Sequence, residues 1–238
     1  MAASLPDDLI PDILVLIPPE EPACLVLASA VCKAWRRIVT DPAFSGRYRA
    51  LHRTPPMLGF FHNPMDIPME DKAPSFVPTT SFRLPTPDRR MRHMFDCHHG
   101  RVLLYNYDFE SPTQGFNIWD PLTDDQHIIP DVPDMFTKGA VVCTAASGGC
   151  HHRSCSAGPF IVAFAGVNGH GDAVHADFYS SETREWSLEL YIYVGDGFEL
   201  KEDRPAVFVG DSLYFVGTSG FLVRYWYSPL LRLVTQTC

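Results

Sequence analysis

The stretch AVCKAWRRIV, residues 30–39, sets a tryptophan among three basic side chains in a chain that is otherwise acidic. Val31, Trp35, Ile38 and Val39 recur at i, i+4, i+7 and i+8, one stripe of a helix, whereas Lys33, Arg36 and Arg37 project from other faces. The spacing predicts an amphipathic helix whose tryptophan faces a core and whose cations are solvated, not a grip on nucleic acid. The charge distribution agrees. The 238-residue chain has a formal net charge of -9; residues 33–53 hold six Lys or Arg against Asp41, and residues 1–32 hold five acids and no base. Basic character confined to one segment of an acidic chain argues against a general nucleic-acid binder.

Two further helices are readable upstream. Leu9, Ile13 and Leu16 recur at helical spacing, and Asp7 or Asp8 can cap the start. Pro11 is tolerable there because first-turn backbone donors are largely unpaired. Pro18-Pro19 stops this helix, and a second begins around Pro22, with Ala23 to Ala30 apolar on nearly every side. A module of ~40 residues buries too little surface to be stable alone and usually needs a metal, disulfides or a partner. Leu5, Pro6, Leu9 and Ile13, with Val31, Cys32 and Trp35 at the junction of the second and third helices, are the candidates for a surface that another protein completes.

Seven irregularly spaced cysteines do not resemble the disulfide framework of a small secreted scaffold. The N-terminal MAASLPDDLIPDILVLI has no basic leader region and carries Asp7, Asp8 and Asp12 where a signal peptide needs uncharged residues. The charge-free run from Pro22 to Cys32 is far shorter than the ~20 residues of a membrane helix. These features imply a reduced, cytoplasmic or nuclear protein without a membrane partner.

The longer run LPDDLIPDILVLIPPEEPACLVLASAVCKAWRRIVTDPAF, residues 5–44, resembles the F-box motif. It has Leu-Pro, an acidic pair, a spaced Ile-Leu, a Pro-Pro break, Val-Cys-x-x-Trp-x-x-Ile and an Asp-Pro-x-Phe ending, in order. The resemblance implies a three-helix module that docks on a Skp-type adaptor and, through it, a cullin–RING ubiquitin ligase. On that implication Leu5, Pro6, Leu9, Ile13, Val31, Cys32 and Trp35 form the F-box core or the adaptor contact. CHHGRVLL, WDPLT and YSSETREWS further look like large plant F-box families, particularly those of cereals.

Beyond residue 53 the pattern changes to short strands. MLGFF, residues 57–61, reads as one strand, and then Pro64, Pro68, Pro74, Pro78, Pro85 and Pro87 predict irregular chain to about residue 92. Three strand clusters follow. The first joins RVLLYNY, FNIWD and QHIIP; the second AVVC, FIVAFAG, AVHADFYS and EWSLEL; the third AVFVG, SLYFVG, FLVRYWY and LLRLV. Each has an aromatic strand end before a polar turn, at Trp119, Tyr179 and Tyr227. Repeats of about four strands every ~50 residues suggest kelch-like propeller blades, with an irregular β-sandwich as the alternative. The expected class is thus α+β and multidomain: an F-box domain at 4–50, a Pro-rich connector with a first strand at 51–92, and an antiparallel all-β F-box-associated region at 93–238, a partial kelch-like β-propeller. Three blades fall short of the about 4–8 that close a ring, so the expectation is a shortened product of a longer protein or an open array needing a partner at its C-terminal side.

Several groupings invite chemistry without meeting its requirements. Cys150-His151-His152-Arg153-Ser154-Cys155 and Cys97-His98-His99 hold nitrogen and sulfur, yet lack the two spaced ligand pairs of a structural zinc site. Cys97 and Cys143 have no flanking nucleophile motif, and the glycines of 166–171 follow a strand without a helix to offer a phosphate. Asp124-Asp125 and Glu182/Glu185 are turn residues and solvated strand edges unless a cleft gathers them. The expectation is a noncatalytic substrate receptor with no cofactor and no metal, its target-binding loops unidentified. The alternative is an independent propeller-type enzyme or binding protein dependent on carbohydrate or metal.

Overall fold

Proline sets where the first helices begin. Pro11 occupies the second position of α1 (Ile10–Leu14), and Pro22 and Pro42 open α2 (Pro22–Val31) and α4 (Pro42–Leu51), where a missing N–H costs no helical bond. Between the last two runs α3 (Lys33–Val39). The computed structural model describes residues 6, 8–53, 56–64, 75–84, 92–110, 112, 114–130, 132, 136–144, 158–187, 190–201, 204–209, 212–218, 221–226 and 233–237. The chain divides into two compact units, Met1–His62 with Ser75–Pro87, and Asn63–Pro74 with Asp88–Cys238.

The helical unit corrects three expectations. Asp8 does not cap α1: Leu9 is the N-cap, without a side-chain hydrogen bond. The third helix does not begin within Ala30 to Cys32, because Cys32 is extended (φ -159, ψ 167) and separates α2 from α3. The i, i+4 spacing of Val31 and Trp35 therefore crosses a break, and the two residues do not share a stripe. Finally, the expected three helices are four. Asp41, whose carboxylate accepts from Ala43 N at 2.7 Å, caps α4, so Asp-Pro-x-Phe starts a helix. The same unit holds an antiparallel hairpin of β1 (Gly59–His62) and β2 (Ser75–Pro78), the latter a strand within the run expected to be irregular.

The second unit is antiparallel throughout its paired strands. β3 (Arg92–His98), β4 (Arg101–Asn106), β5 (Gly115–Trp119) and β6 (Gln126–Ile128) form one sheet in that order. β7 (Lys138–Cys143), β8 (Phe160–Val167), β9 (Ala173–Ser180) and β10 (Glu185–Trp186) form a second, with β11 (Leu190–Tyr193) also paired to β9. β12 (Val207–Val209), β13 (Ser212–Val216), β14 (Phe221–Trp226) and β15 (Leu233–Thr237) form a third. These match the three expected clusters, with β3 added. Its alternation was hidden by His93, Asp96 and His98 and by a bulge between Met94 and Asp96. None of the described sheets closes into a barrel.

The middle sheet is buried on both faces, which is why GAVVC of β7 and FIVAFAGV of β8 read as continuous apolar runs. Val141, Val162, Phe164 and Tyr179 pack with Leu103, Phe116 and Ile118 of the first sheet. The alternate residues Ala140, Ala163, Ala165, Val174, Ala176 and Phe178 pack with Phe198, Leu200 and with Leu213 and Phe215 of the third. The period of two thus divides each strand between two cores. Gly139 is required by the first of these: a Cβ there would stand 2.6 Å from Leu103 Cδ2. Two hairpin turns repeat the same device. Asp124 N donates to Asp120 O at 2.9 Å and Arg184 N to Ser180 O at 2.8 Å, with Asp124 and Arg184 left-handed at φ 65 and 58. Each follows a buried aromatic, Trp119 or Tyr179. The third aromatic turn expected, at Tyr227, lies outside the described residues.

Asp96 fastens the bulged strand to the middle sheet. Its Oδ2 accepts from Val141 N at 2.9 Å, on the side of β7 that pairs with no other described strand. Burial raises its pKa to about 6, against the lowering effects of the Val141 and Cys97 backbone N–H groups and Lys138. A carboxyl raised above its ordinary value of 3.8 holds its proton longer in the folded chain, so its contribution to stability falls as pH rises from about 4 to about 6. Asp96→Asn, which cannot ionise, is expected to gain stability relative to the parent between pH 4 and pH 7. Urea midpoints of both proteins at the two pH values check this; a pH-independent difference would exclude the ionisation.

Candidate functional site

Helix α1 and its continuation carry two apolar stripes of identical spacing. Ile10, Leu14 and Ile17 turn inward, the first two only 8% and 3% exposed. Leu9, Ile13 and Leu16 turn outward at 44%, 46% and 65%. A helix needs one apolar stripe for its own core, so the second is surplus to the fold of this unit. Helix α2 repeats the pattern: Ala28 is buried and Leu25 packs on the core, while Val26, Leu27 and Val31 are 64–67% exposed.

Residues of α4 decide which stripe turns in. Phe44 is 6% exposed in a core with Ile10, Leu14, Val15 and Ala28, flanked by Trp35, Ile38 and Val39. One and two turns on, Tyr48 and His52 reach the carbonyls left open at the end of α1. Tyr48 Oη donates to Ile17 O at 2.8 Å, and His52 Nε2 lies 2.9 Å from Val15 O, donating in the Nε2–H tautomer. Burial, then the charge of Glu20, raises the Tyr48 pKa and keeps its hydroxyl a donor. The rings of Tyr48 and His52 stand 4.4 Å apart. Arg47 adds an ion pair to Asp12 at 2.5 Å, exposed at both ends and so worth about 0–1 kcal/mol at most.

The candidate residues now separate. Trp35 is half-buried against the core, and its backbone N–H donates to Cys32 Sγ at 3.5 Å, so Cys32 caps α3 with its own side chain exposed. Pro6, Leu9, Ile13, Val31 and Cys32 are exposed. Leu5 lies outside the described residues. A family model described as F-box-like matches residues 2–47. The chain carries an F-box-like domain. No curated protein matches the chain. The F-box-like domain is followed by antiparallel sheets, and its last matched residue falls inside α4, before Tyr48 and His52. Those two were missed in the sequence, although Phe44, Tyr48 and His52 recur at i, i+4 and i+8 behind a capping Asp-Pro.

The other groupings belong to the second unit. Cys150, His151, His152 and Cys155 lie outside the described residues. Among the described residues no three His, Cys, Asp or Glu are placed to hold a metal ion. Asp124 accepts from Trp119 Nε1 at 2.9 Å, which makes it a turn residue. Residues 166–171 belong to the β8–β9 hairpin, where Asn168 Oδ1 accepts from Asp172 N and Ala173 N. Among the described residues, no helix is long and apolar enough to cross a membrane.

Truncating the buried ring should cost most. Phe44→Ala is expected to destabilise the helical unit by about 3–5 kcal/mol, whereas the half-buried Trp35 should cost less on the same change. Tyr48→Phe, which strands the Ile17 carbonyl, should cost about 1–3 kcal/mol. Helix-specific unfolding followed by circular dichroism ranks the three; Trp35→Ala exceeding Phe44→Ala would invert the assignment of the core.

Proposed function

We propose that the chain is a noncatalytic substrate receptor of a Skp-cullin-F-box ubiquitin ligase. F-box domains bind Skp-type adaptors within such complexes, and the F-box-like match supports that role here. The observation that carries the proposal is the second apolar stripe of Leu9, Ile13 and Leu16, with Val31 and Cys32 exposed where α2 meets α3. Burying one such aliphatic side chain is worth about 1.5–3 kcal/mol, so several together supply a docking surface even after the costs of association. The adaptor fits onto this face, and the cullin is reached through it.

The β unit then presents the target. Its three sheets stack as blades of a kelch-like propeller, in a protein of the plant, cereal-type F-box families that its sequence resembles, acting in the cytoplasm or nucleus. Held beside the charged conjugating enzyme, the target is modified through raised effective concentration, with no nucleophile from this chain.

Capture by an immobilised Skp-type adaptor tests the reading. Leu9→Ala with Ile13→Ala should change folding stability by less than about 1 kcal/mol, as expected for partly exposed sites. The same pair should lower capture at least tenfold. Reversal of the solvated Arg36 and Arg37 to Glu should leave adaptor capture within about twofold, since rim charges mostly alter on-rate. Undiminished capture by the folded double-alanine protein would refute the docking assignment.

A further inference from the structure

A second surface lies on the opposite side of α2. A cleft of about 340 Å³ is lined by Leu25 of α2, Val39 at the end of α3, and Phe44, Ser45, Tyr48 and Arg49 of α4. At 100° per residue, Leu25 points about 160° from Leu27 and about 120° from Val31, so this cleft is not part of the exposed stripe face. Its size is that of the smaller recognition pockets, ~300–1,000 Å³, and its floor is apolar.

The rim adds charge of one sign on the α3–α4 side. Arg49 Nε donates to Ser45 O at 3.1 Å, which holds the guanidinium stem along α4. Arg36 precedes Val39 by three residues and lies about 60° from it around α3, beside the cleft, whereas Lys33 and Arg37 lie about 120° and 160° from Val39. Arg36 and Arg49 are exposed, and among the described residues neither forms an ion pair, in contrast to Arg47, which Asp12 neutralises. Acidic groups gather toward the start of α2: the charge of Glu20 acts on Tyr48, and Glu21 stands at the N-cap position of α2, without a side-chain hydrogen bond, one turn before Leu25.

We propose that this cleft is a second docking site, for an acidic protein segment that sets one large apolar side chain against Leu25, Val39 and Phe44 and its carboxylates against Arg49 and Arg36. Guanidinium groups pair with carboxylates in two-point geometry, and an apolar anchor within a charged rim is the usual anatomy of a peptide site. The acidic end formed by Glu20 and Glu21 fixes direction, because it repels carboxylates placed on the α2 side.

Selection of a phage-displayed random peptide library on the purified full chain tests the site. Enriched peptides should combine a large apolar residue with two or more nearby acids, and one such synthetic peptide, fluorescently labelled, then serves as the probe. Arg36→Glu with Arg49→Glu should weaken the probe at least tenfold, and Ser45→Trp, which fills the cleft without changing charge, should do the same. Leu27→Ala, on the far side of α2, should not. Circular dichroism verifies that each variant is folded, and Arg49→Gln replaces any that is not. Absence of acidic enrichment, or a probe indifferent to both charge reversal and cleft filling, would overturn the proposal. So would displacement of the probe by a single-stranded oligonucleotide through the same arginines, which would give the face to nucleic acid.

Discussion

The helical unit depends on how α4 grips the end of α1. A one-and-a-half-turn helix with apolar residues on both sides has no intrinsic reason to bury one stripe over the other. Phe44 supplies the apolar wall that takes Ile10 and Leu14, and Tyr48 and His52 supply donors for the Ile17 and Val15 carbonyls. Hydrogen bonds are directional and the open carbonyls must find partners, so these two contacts fix the roll of α1 about its axis. Leu9, Ile13 and Leu16 face outward as a consequence of that roll. The face available for a partner is therefore set by residues that do not belong to it.

The sheet unit solves a different problem with a related economy. Its middle sheet buries both faces, and the side chains alternate so that residues such as Val141 and Val142 serve different cores. The face toward the third sheet is rich in alanine, which lets Phe198, Phe215 and Leu213 approach closely. One edge N–H of β7 is satisfied by a carboxylate instead of by another strand, and that carboxylate, Asp96, is held where its charge is disfavoured. Edge satisfaction by a buried acid couples this seam to pH in a way a backbone pair would not.

Much of this was legible in the sequence, and the gaps have physical causes. Strong periodicities carried the three strand clusters and the positions of α2 and α3, because apolar patterning there is dense. Helix α4 was obscured, since its signal lies in a capping Asp-Pro and three aromatic positions within a basic run. The extended backbone at Cys32 could not be read from Val31 and Trp35, whose spacing imitates a continuous helix. Strand β3 was hidden by polar residues and a bulge, and β2 by neighbouring prolines. The sequence names the candidate residues only as one set, core or contact, and does not divide them. Two stripes with the same i, i+4, i+7 spacing are indistinguishable until the contacts of Phe44, Tyr48 and His52 select one.

Hydroxyl-radical footprinting read at single residues measures that selection directly, on the full chain free and with a Skp-type adaptor bound. The account predicts that Leu9, Ile13 and Leu16 are oxidised in the free chain and protected in the complex, while Ile10 and Leu14 resist oxidation in both. Equal labelling of the two stripes in the free chain, or adaptor binding that leaves Leu9 and Ile13 as reactive as before, would contradict it.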